Sequence, residues 1–260
     1  MRKYFKSLNF DLIYGLPKQT RQTVHDTLEA VKRMSPDRIA FSVLGHRPDV
    51  FAHNQQIDEK DLPGIFDKAL MWQDSMENLV ASGYERIGMD HFARHNDELT
   101  IAKRENRLFR NSMGYSPGRF EDNIAIGPSG MTRMANYYFQ DLYQLRDYYG
   151  QISRGEFPVF RGYKLNKDDL IRRDIMNKIM TYYRVDVPAL EQTHGIHFDE
   201  YFRSELQELA KFGKEGILDI QSSQIVITEL GTLFMRHVCA VFDNLGKDYK
   251  HNVETGVKSC

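Results

Sequence analysis

The stretch from Asn9 to Leu44 constrains the fold most, because it reads strand, helix, strand without interruption. Asn9–Tyr14 (N-F-D-L-I-Y) is a short apolar strand closed by the breaker run Gly15-Leu16-Pro17. From about Gln22 to Met34, Val24, Leu28, Val31 and Met34 recur at spacings of four, three and three, the period of a helix with one apolar face. Ser35-Pro36 stops it, and Arg38–Leu44 reads as a second strand with Gly45 and Pro48 just beyond. Strands joined through a helix are parallel and cross over right-handedly, so an α/β fold is expected. Asp61–Ser82 continues the pattern as a helix with Ile65, Ala69, Trp72, Met76 and Leu79 on one face, and Tyr84–Gly88 is a third strand. In parallel sheets, polar residues just past the strand C-termini face the ligand.

Further on, Glu98–Phe109 is expected to be helical, Ile124–Ile126 a short strand, and Ala135–Tyr149 a tyrosine-rich helix packed between layers. Gly150–Pro158 is the expected boundary between two domains, 1–150 and 151–260. Beyond it, Asn166 is an N-cap with Asp169 in the capping-box position, and Ile171, Ile175, Ile179 and Tyr183 form a stripe. Pro188 starts a short helix that Gly195 ends, and Tyr201–Phe212 is amphipathic. Leu218–Ile220 and Ile225–Ile227 flank a Ser222-Ser223 turn, and Thr228 caps a final helix to Phe242. Helices, a small hairpin and another helix suggest a winged-helix-like module.

Such modules often read DNA, so charge decides. Asp199–Asp243 holds four basic and eight acidic residues, net −4, and the whole chain carries 35 basic against 36 acidic residues. A nucleic-acid reader needs the opposite sign, so no nucleic-acid partner is expected, nor an anionic membrane. No apolar run approaches the roughly 18–20 residues of a membrane span. No hydrophobic stretch follows Met1-Arg2-Lys3-Tyr4, so a cytoplasmic protein without a signal peptide is expected. The two cysteines, Cys239 and Cys260, cannot by themselves hold a structural zinc or an iron–sulfur cluster.

Three polar clusters stand at strand ends: Asp11 with the run to Thr20, Gly45-His46-Arg47-Pro48, and Gly88-Met89-Asp90-His91-Phe92-Ala93-Arg94. A carboxylate in a strand needs partners, so Asp11 either accepts hydrogen bonds from a ligand's amine or hydroxyls or caps a neighbouring loop. Asp90-His91 has the composition of an acid–base pair, but neighbours on an extended segment point opposite ways, so the two need not meet. His46, His91 and His95 lack metal-ligand spacing. No G-x-G-x-x-G, P-loop or G-x-S-x-G occurs.

The string Asp11–Thr20, followed by G-M-D-H-F-A-R, resembles the oxygen-independent coproporphyrinogen III oxidases, radical S-adenosylmethionine enzymes of haem synthesis. Arg110-Asn111 with Gly114-Tyr115, Arg161-Gly162, Asp168-Asp169, Arg172-Arg173-Asp174 and Thr228-x-x-Gly231 extend the likeness over nearly the whole chain. A related haem-chaperone family reads G-L-P-G-Q-T, whereas Lys18 here gives G-L-P-K-Q-T. The resemblance implies oxidative decarboxylation of two propionates of coproporphyrinogen III, with S-adenosylmethionine and a [4Fe–4S] cluster as cofactors and an enclosed site. It also implies the second half of a (β/α)6-type partial barrel with parallel strands, followed by the helical module. The family's C-x-x-x-C-x-x-C ligands and the glycine-rich segment after them have no counterpart here. The chain is therefore expected to be a C-terminal portion, redox-inactive alone, with a tetrapyrrole substrate as partner and its N-terminal half encoded either upstream in frame or as a separate half chain. Alternatives are a non-catalytic tetrapyrrole-binding or interaction protein and a divergent radical enzyme with another substrate.

Carried over position by position, Asp11, Ile13, Gly45, Met113 and Met131 fall on S-adenosylmethionine contacts of the family. Gly45 replaces an Ala, Met113 a Gln and Met131 an Ile, and Val43-Leu44 replaces Asn-Tyr. Arg161, Arg172 and Arg173 are candidates to pair with substrate propionates, with salt bridges inside the chain as the competing use. No catalytic residue and no metal ligand is assigned.

Overall fold

The computed structural model describes residues 3–49, 51–111, 114–118, 120 and 122–245, so Met113 and Cys260 lie outside the described residues. Packing divides the chain into two compact units, Met1–Leu108 and Phe109–Cys260. This division falls well before Gly150–Pro158, and residues 109–150 pack with the second unit.

The first unit opens as its periodicity predicts, with β1 (Asn9–Tyr14), α1 (Arg21–Met34) and β2 (Arg38–Val43). Thr20 caps α1 in a reciprocal box with Thr23, and Ser35 ends it in the left-handed region. α2 (Ile65–Ala81) starts after Pro63-Gly64 rather than at Asp61, because Gly64 is its N-cap. β3 (Tyr84–Arg86), β4 (His91–Arg94) and α3 (Glu98–Arg104) complete the unit. The expected all-parallel sheet is corrected here. β1 and β2 pair in parallel, but β4 pairs antiparallel with both β2 and β3, giving the order β1-β2-β4-β3. β3 still runs in the direction of β1 and β2; the hairpin strand β4 is inserted between them.

Strand alternation sorts the two faces of this sheet. Phe10, Leu12, Tyr14, Ile39, Phe41 and Phe92 pack with Val24, Leu28 and Val31 of α1 and Met71, Trp72 and Leu79 of α2. Each fully buried side chain of this kind contributes about 1.5–3 kcal/mol. The opposite face, turned away from α1 and α2, carries Asp11, Ile13, Ala40 and Ser42, none of them fully buried.

The second unit begins with the hairpin β5 (Phe109–Asn111) and β6 (Gly114–Ser116). The helix expected over Glu98–Phe109 ends at Arg104, and Phe109 enters β5. Ile124–Ile126 forms no strand; only Asn123 bridges to Arg133, and Ile124 and Ile126 face solvent. The helix expected over Ala135–Tyr149 is also corrected. β7 (Met131–Met134) and β8 (Tyr137–Asp141) form a hairpin across Ala135-Asn136, and the helix α4 spans only Leu145–Ser153. The physical reason is the run Tyr137-Tyr138-Phe139, which favours a pleated surface, and Ala135 at φ +52°. β9 (Val159–Lys164), exposed along its length, adds to β8 and was not legible in the sequence.

α5 (Lys167–Tyr182) has the expected Asn166–Asp169 capping box, and Ile171, Ile175 and Ile179 are fully buried. β10 (Arg184–Asp186), α6 (Val187–His194), α7 (Phe198–Tyr201), α8 (Arg203–Lys214), β11 (Leu218–Ile220) and β12 (Gln224–Ile227) follow. A 3-10 turn over Leu230–Leu233 precedes α9 (Met235–Phe242), so Thr228 caps that turn rather than one long helix. Its hydroxyl accepts from Gly231 N–H at 3.0 Å and donates to the Gly216 carbonyl at 2.6 Å. A Cβ on residue 231 would lie 1.8 Å from the Ile217 carbonyl oxygen, which explains the glycine of Thr228-x-x-Gly231.

Candidate functional site

The open face of the mixed sheet gathers the polar groups of the first unit. Register places Asp11 beside Ala40, and Ala40 beside His91, so the three share one row across β1, β2 and β4. Ile13 lies beside Ser42 on the same face and is 51% exposed. Asn9 Nδ2 donates to Asp11 Oδ1 at 2.7 Å.

Asp90 and His91 do meet: Asp90 Oδ1 lies 2.8 Å from His91 Nδ1. Asp90 stands in a bend just before β4, so strand alternation does not apply to it. Ser42 Oγ donates to Asp90 Oδ2 at 3.3 Å, and the Phe41 N–H donates to the Asp90 carbonyl at 2.7 Å. Arg86 holds the turn from the other side of the sheet. Its guanidinium donates to the Gly88 and Met89 carbonyls at 3.0 and 3.3 Å and lies 5.4 Å over the Trp72 ring. Lys103 Nζ donates to the Arg86 carbonyl at 2.7 Å. Burial, aided by the nearby Arg86 charge and opposed by Glu85, brings the Lys103 ammonium down to about 8. Ser42, Arg86 and Lys103 were missed by sequence reasoning, because their roles depend on strand pairing rather than on any local pattern.

The second strand end is looser. Gly45 is exposed past β2, and a Cβ built on it meets nothing within 4 Å, so the position accepts the alanine of the family pattern. His46 Nε2 contacts the Asn54 carbonyl at 3.2 Å, an arrangement that orders its own loop. Among the described residues, no group of three or more His, Cys, Asp or Glu side chains could hold a metal ion. Cys239 is buried, and desolvation pushes its thiol up to about 12.

The remaining candidates lie in the second unit. Met131 and Arg161 share a row through Gln140, whose Oε1 accepts from Arg161 Nε at 2.8 Å. Arg172 is buried and engaged by Asp168 and Glu205 at 2.7 and 2.8 Å. Its neighbour Arg173 lines a cavity of about 120 Å³ with Tyr138, Met176 and Phe242, and its Nη1 is buried without an acceptor among the described residues. Of the three arginines, only Arg172 has both sides of its guanidinium bound to carboxylates.

No family model matches the chain. A mixed sheet with polar strand ends and a second unit of helices and small antiparallel sheets define an α/β protein, and its fold matches a solved radical SAM enzyme. That structure is coproporphyrinogen III oxidase (HemN) from Escherichia coli, with a TM-score of 0.89 and 38% identity, covering 94% of this chain and 56% of that one. The oxygen-independent coproporphyrinogen III oxidase of Salmonella typhimurium is 40% identical over 239 residues, 92% of this chain and 52% of that protein. The protein of the same description from Thermostichus vulcanus is 35% identical over 240 residues, 92% of this chain and 74% of that protein. The chain belongs to the oxygen-independent coproporphyrinogen III oxidase family. It spans about half the length of the Salmonella and Escherichia relatives it matches.

Proposed function

We propose that this chain serves the oxygen-independent oxidative decarboxylation of coproporphyrinogen III to protoporphyrinogen IX, in the cytoplasm, as one wall of the reaction cavity. The observation that carries the reading is the open sheet face bearing Asp11 and Ile13 in a fold that matches the solved oxidase at a TM-score of 0.89. On this reading the first unit is part of a (β/α)6-type partial barrel, and the second contains a winged-helix-like module.

S-adenosylmethionine fits this face: Asp11 can accept from its amine or ribose hydroxyls, Ile13 supplies an apolar wall, and Gly45 leaves backbone accessible. Met131 in the second unit, and Met113 outside the described residues, are carried over from the family pattern by sequence position alone. A [4Fe–4S] cluster does not fit, because two cysteines cannot supply the thiolates it requires. The sulfur donors are assigned to the N-terminal half of the family's fold, outside these 260 residues.

The test mixes this chain with an N-terminal half of the Escherichia coli oxidase under anaerobic conditions, with coproporphyrinogen III, S-adenosylmethionine and a reductant. Protoporphyrinogen IX is expected from the mixture and from neither half alone. A stoichiometric cluster reconstituted on this chain alone would refute the divided assignment. If the mixture is inactive while the chain binds coproporphyrin III, the non-catalytic tetrapyrrole-binding reading replaces it.

A further inference from the structure

We infer that Asn9 is a positioning residue for Asp11: its amide holds one carboxylate oxygen so that the other is presented, still charged, to S-adenosylmethionine. The inference rests on the reading of the open sheet face given above and adds to it the group that sets the acid's orientation.

The neighbours of Asp11 come first. β1 is an edge strand, so Asp11 has a cross-strand neighbour on one side only, Ala40, whose methyl forms no hydrogen bond. Along β1 on the same face stand Asn9 and Ile13, and diagonally across stand Arg38 and Ser42. Ile13 is apolar. Arg38 is engaged by Asp97 and Glu98 at 2.9 and 2.5 Å, and the Ser42 hydroxyl donates to Asp90. Asn9 is the neighbour that reaches the acid, its Nδ2 donating to Asp11 Oδ1 at 2.7 Å. Among the described residues nothing donates to Asp11 Oδ2, and the pair is open to solvent and so to a ligand.

The chemistry of the donor comes second. A side-chain amide is neutral, so it fixes the rotamer of a carboxylate without cancelling its charge. An arginine or lysine in its place would orient the acid equally well and neutralise it. S-adenosylmethionine carries a sulfonium and an ammonium group, both of which favour an acid that has kept its charge. A carboxylate already held on one oxygen also loses less rotamer freedom when the ligand arrives.

Calorimetric titration of the full chain with S-adenosylmethionine tests the assignment. Asn9→Ala is expected to weaken binding about fivefold, the effect of one neutral hydrogen bond. Asn9→Gln keeps a donor on a longer arm and should recover part of that loss. A double-mutant cycle separates orientation of the acid from any general effect on β1: in the Asp11→Ala background, Asn9→Ala should cause no further loss. An unchanged emission spectrum of Trp72 in each variant excludes misfolding of the unit. Equal affinity of wild type and Asn9→Ala, or the same loss when Asp11 is already removed, overturns this inference alone. Failure of the wild type to bind S-adenosylmethionine overturns the placement of that molecule on this face, and this inference with it.

Discussion

Arg86 in the first unit and Arg172 in the second are both partly sheltered guanidiniums set over an aromatic ring, Trp72 at 5.4 Å and Phe202 at 5.2 Å. Their partners differ. Arg86 donates to main-chain carbonyls and so shapes the turn in which Asp90 meets His91. Arg172 is consumed by Asp168 and Glu205, which lock α5 to α8. An arginine whose charge is already neutralised by buried carboxylates is part of the core, however suggestive the motif around it. The first unit therefore keeps its chemistry-bearing side chains on an open face, while the second spends at least one of its candidate arginines on its own stability.

The contrast is broken most sharply at Arg172. Arg172→Met strands Glu205, which is 6% exposed, and is expected to cost roughly 3–5 kcal/mol. Adding Glu205→Leu should recover most of that loss. Urea unfolding followed by ellipticity measures both, and a single variant as stable as wild type would remove the structural role given to Arg172. Arg86→Met comes next: losing its bonds to the Gly88 and Met89 carbonyls is expected to cost about 1–3 kcal/mol. The change should appear in the emission of Trp72, the sole tryptophan, which lies under Arg86. An unperturbed Trp72 signal would mean that the turn holds itself.

Acid sharpens the comparison more gently. Burial opposes ionisation of Glu205, but hydrogen bonds from Ser204 and Arg172 outweigh it and hold the carboxyl below its usual range. Asp168 is likewise held low against burial by Arg172, Tyr201 and Asn244. Stability from such groups is fully present above the unfolded carboxylate range of about 4 and is lost as pH falls through the depressed folded values. The second unit should lose urea resistance as pH falls below about 5, and Arg172→Met should flatten that dependence. The smallest effect is at Lys18, whose φ of +61° is costly for a residue with a Cβ. Lys18→Gly, the residue of the chaperone pattern, is expected to stabilise the first unit by about 0.5–1 kcal/mol. Its exposed 3.4 Å pair with Asp61 contributes little against this.

The parts of the fold legible in the sequence were those written in local periods. β1, α1 and β2 follow from the spacing of Val24, Leu28 and Val31 and from their breakers, and the Asn166–Asp169 cap and the Gly195 terminus of α6 were equally explicit. The misreadings involve distant pairing. Tyr137-Tyr138-Phe139 was taken up by a hairpin because Met131–Met134 and Val159–Lys164 lie on either side of it. His91–Arg94 became a central strand because β2 had an open edge to receive it. For the site, Asp11 and Ile13 within β1, and Gly45 just past β2, were placed correctly from the sequence. The meeting of Asp90 and His91, and the capture of Arg172 by Glu205 from 33 residues away, were not.

The insertion of β4 also sets an order of events during synthesis. β2 leaves the ribosome some fifty residues before the segment that will cover its free edge, and until then Ile39 and Phe41 sit on a strand with one bare side. A nascent chain halted before Arg94 would therefore expose an adhesive seam, and translation speed across Asp61–Arg94 becomes a determinant of yield.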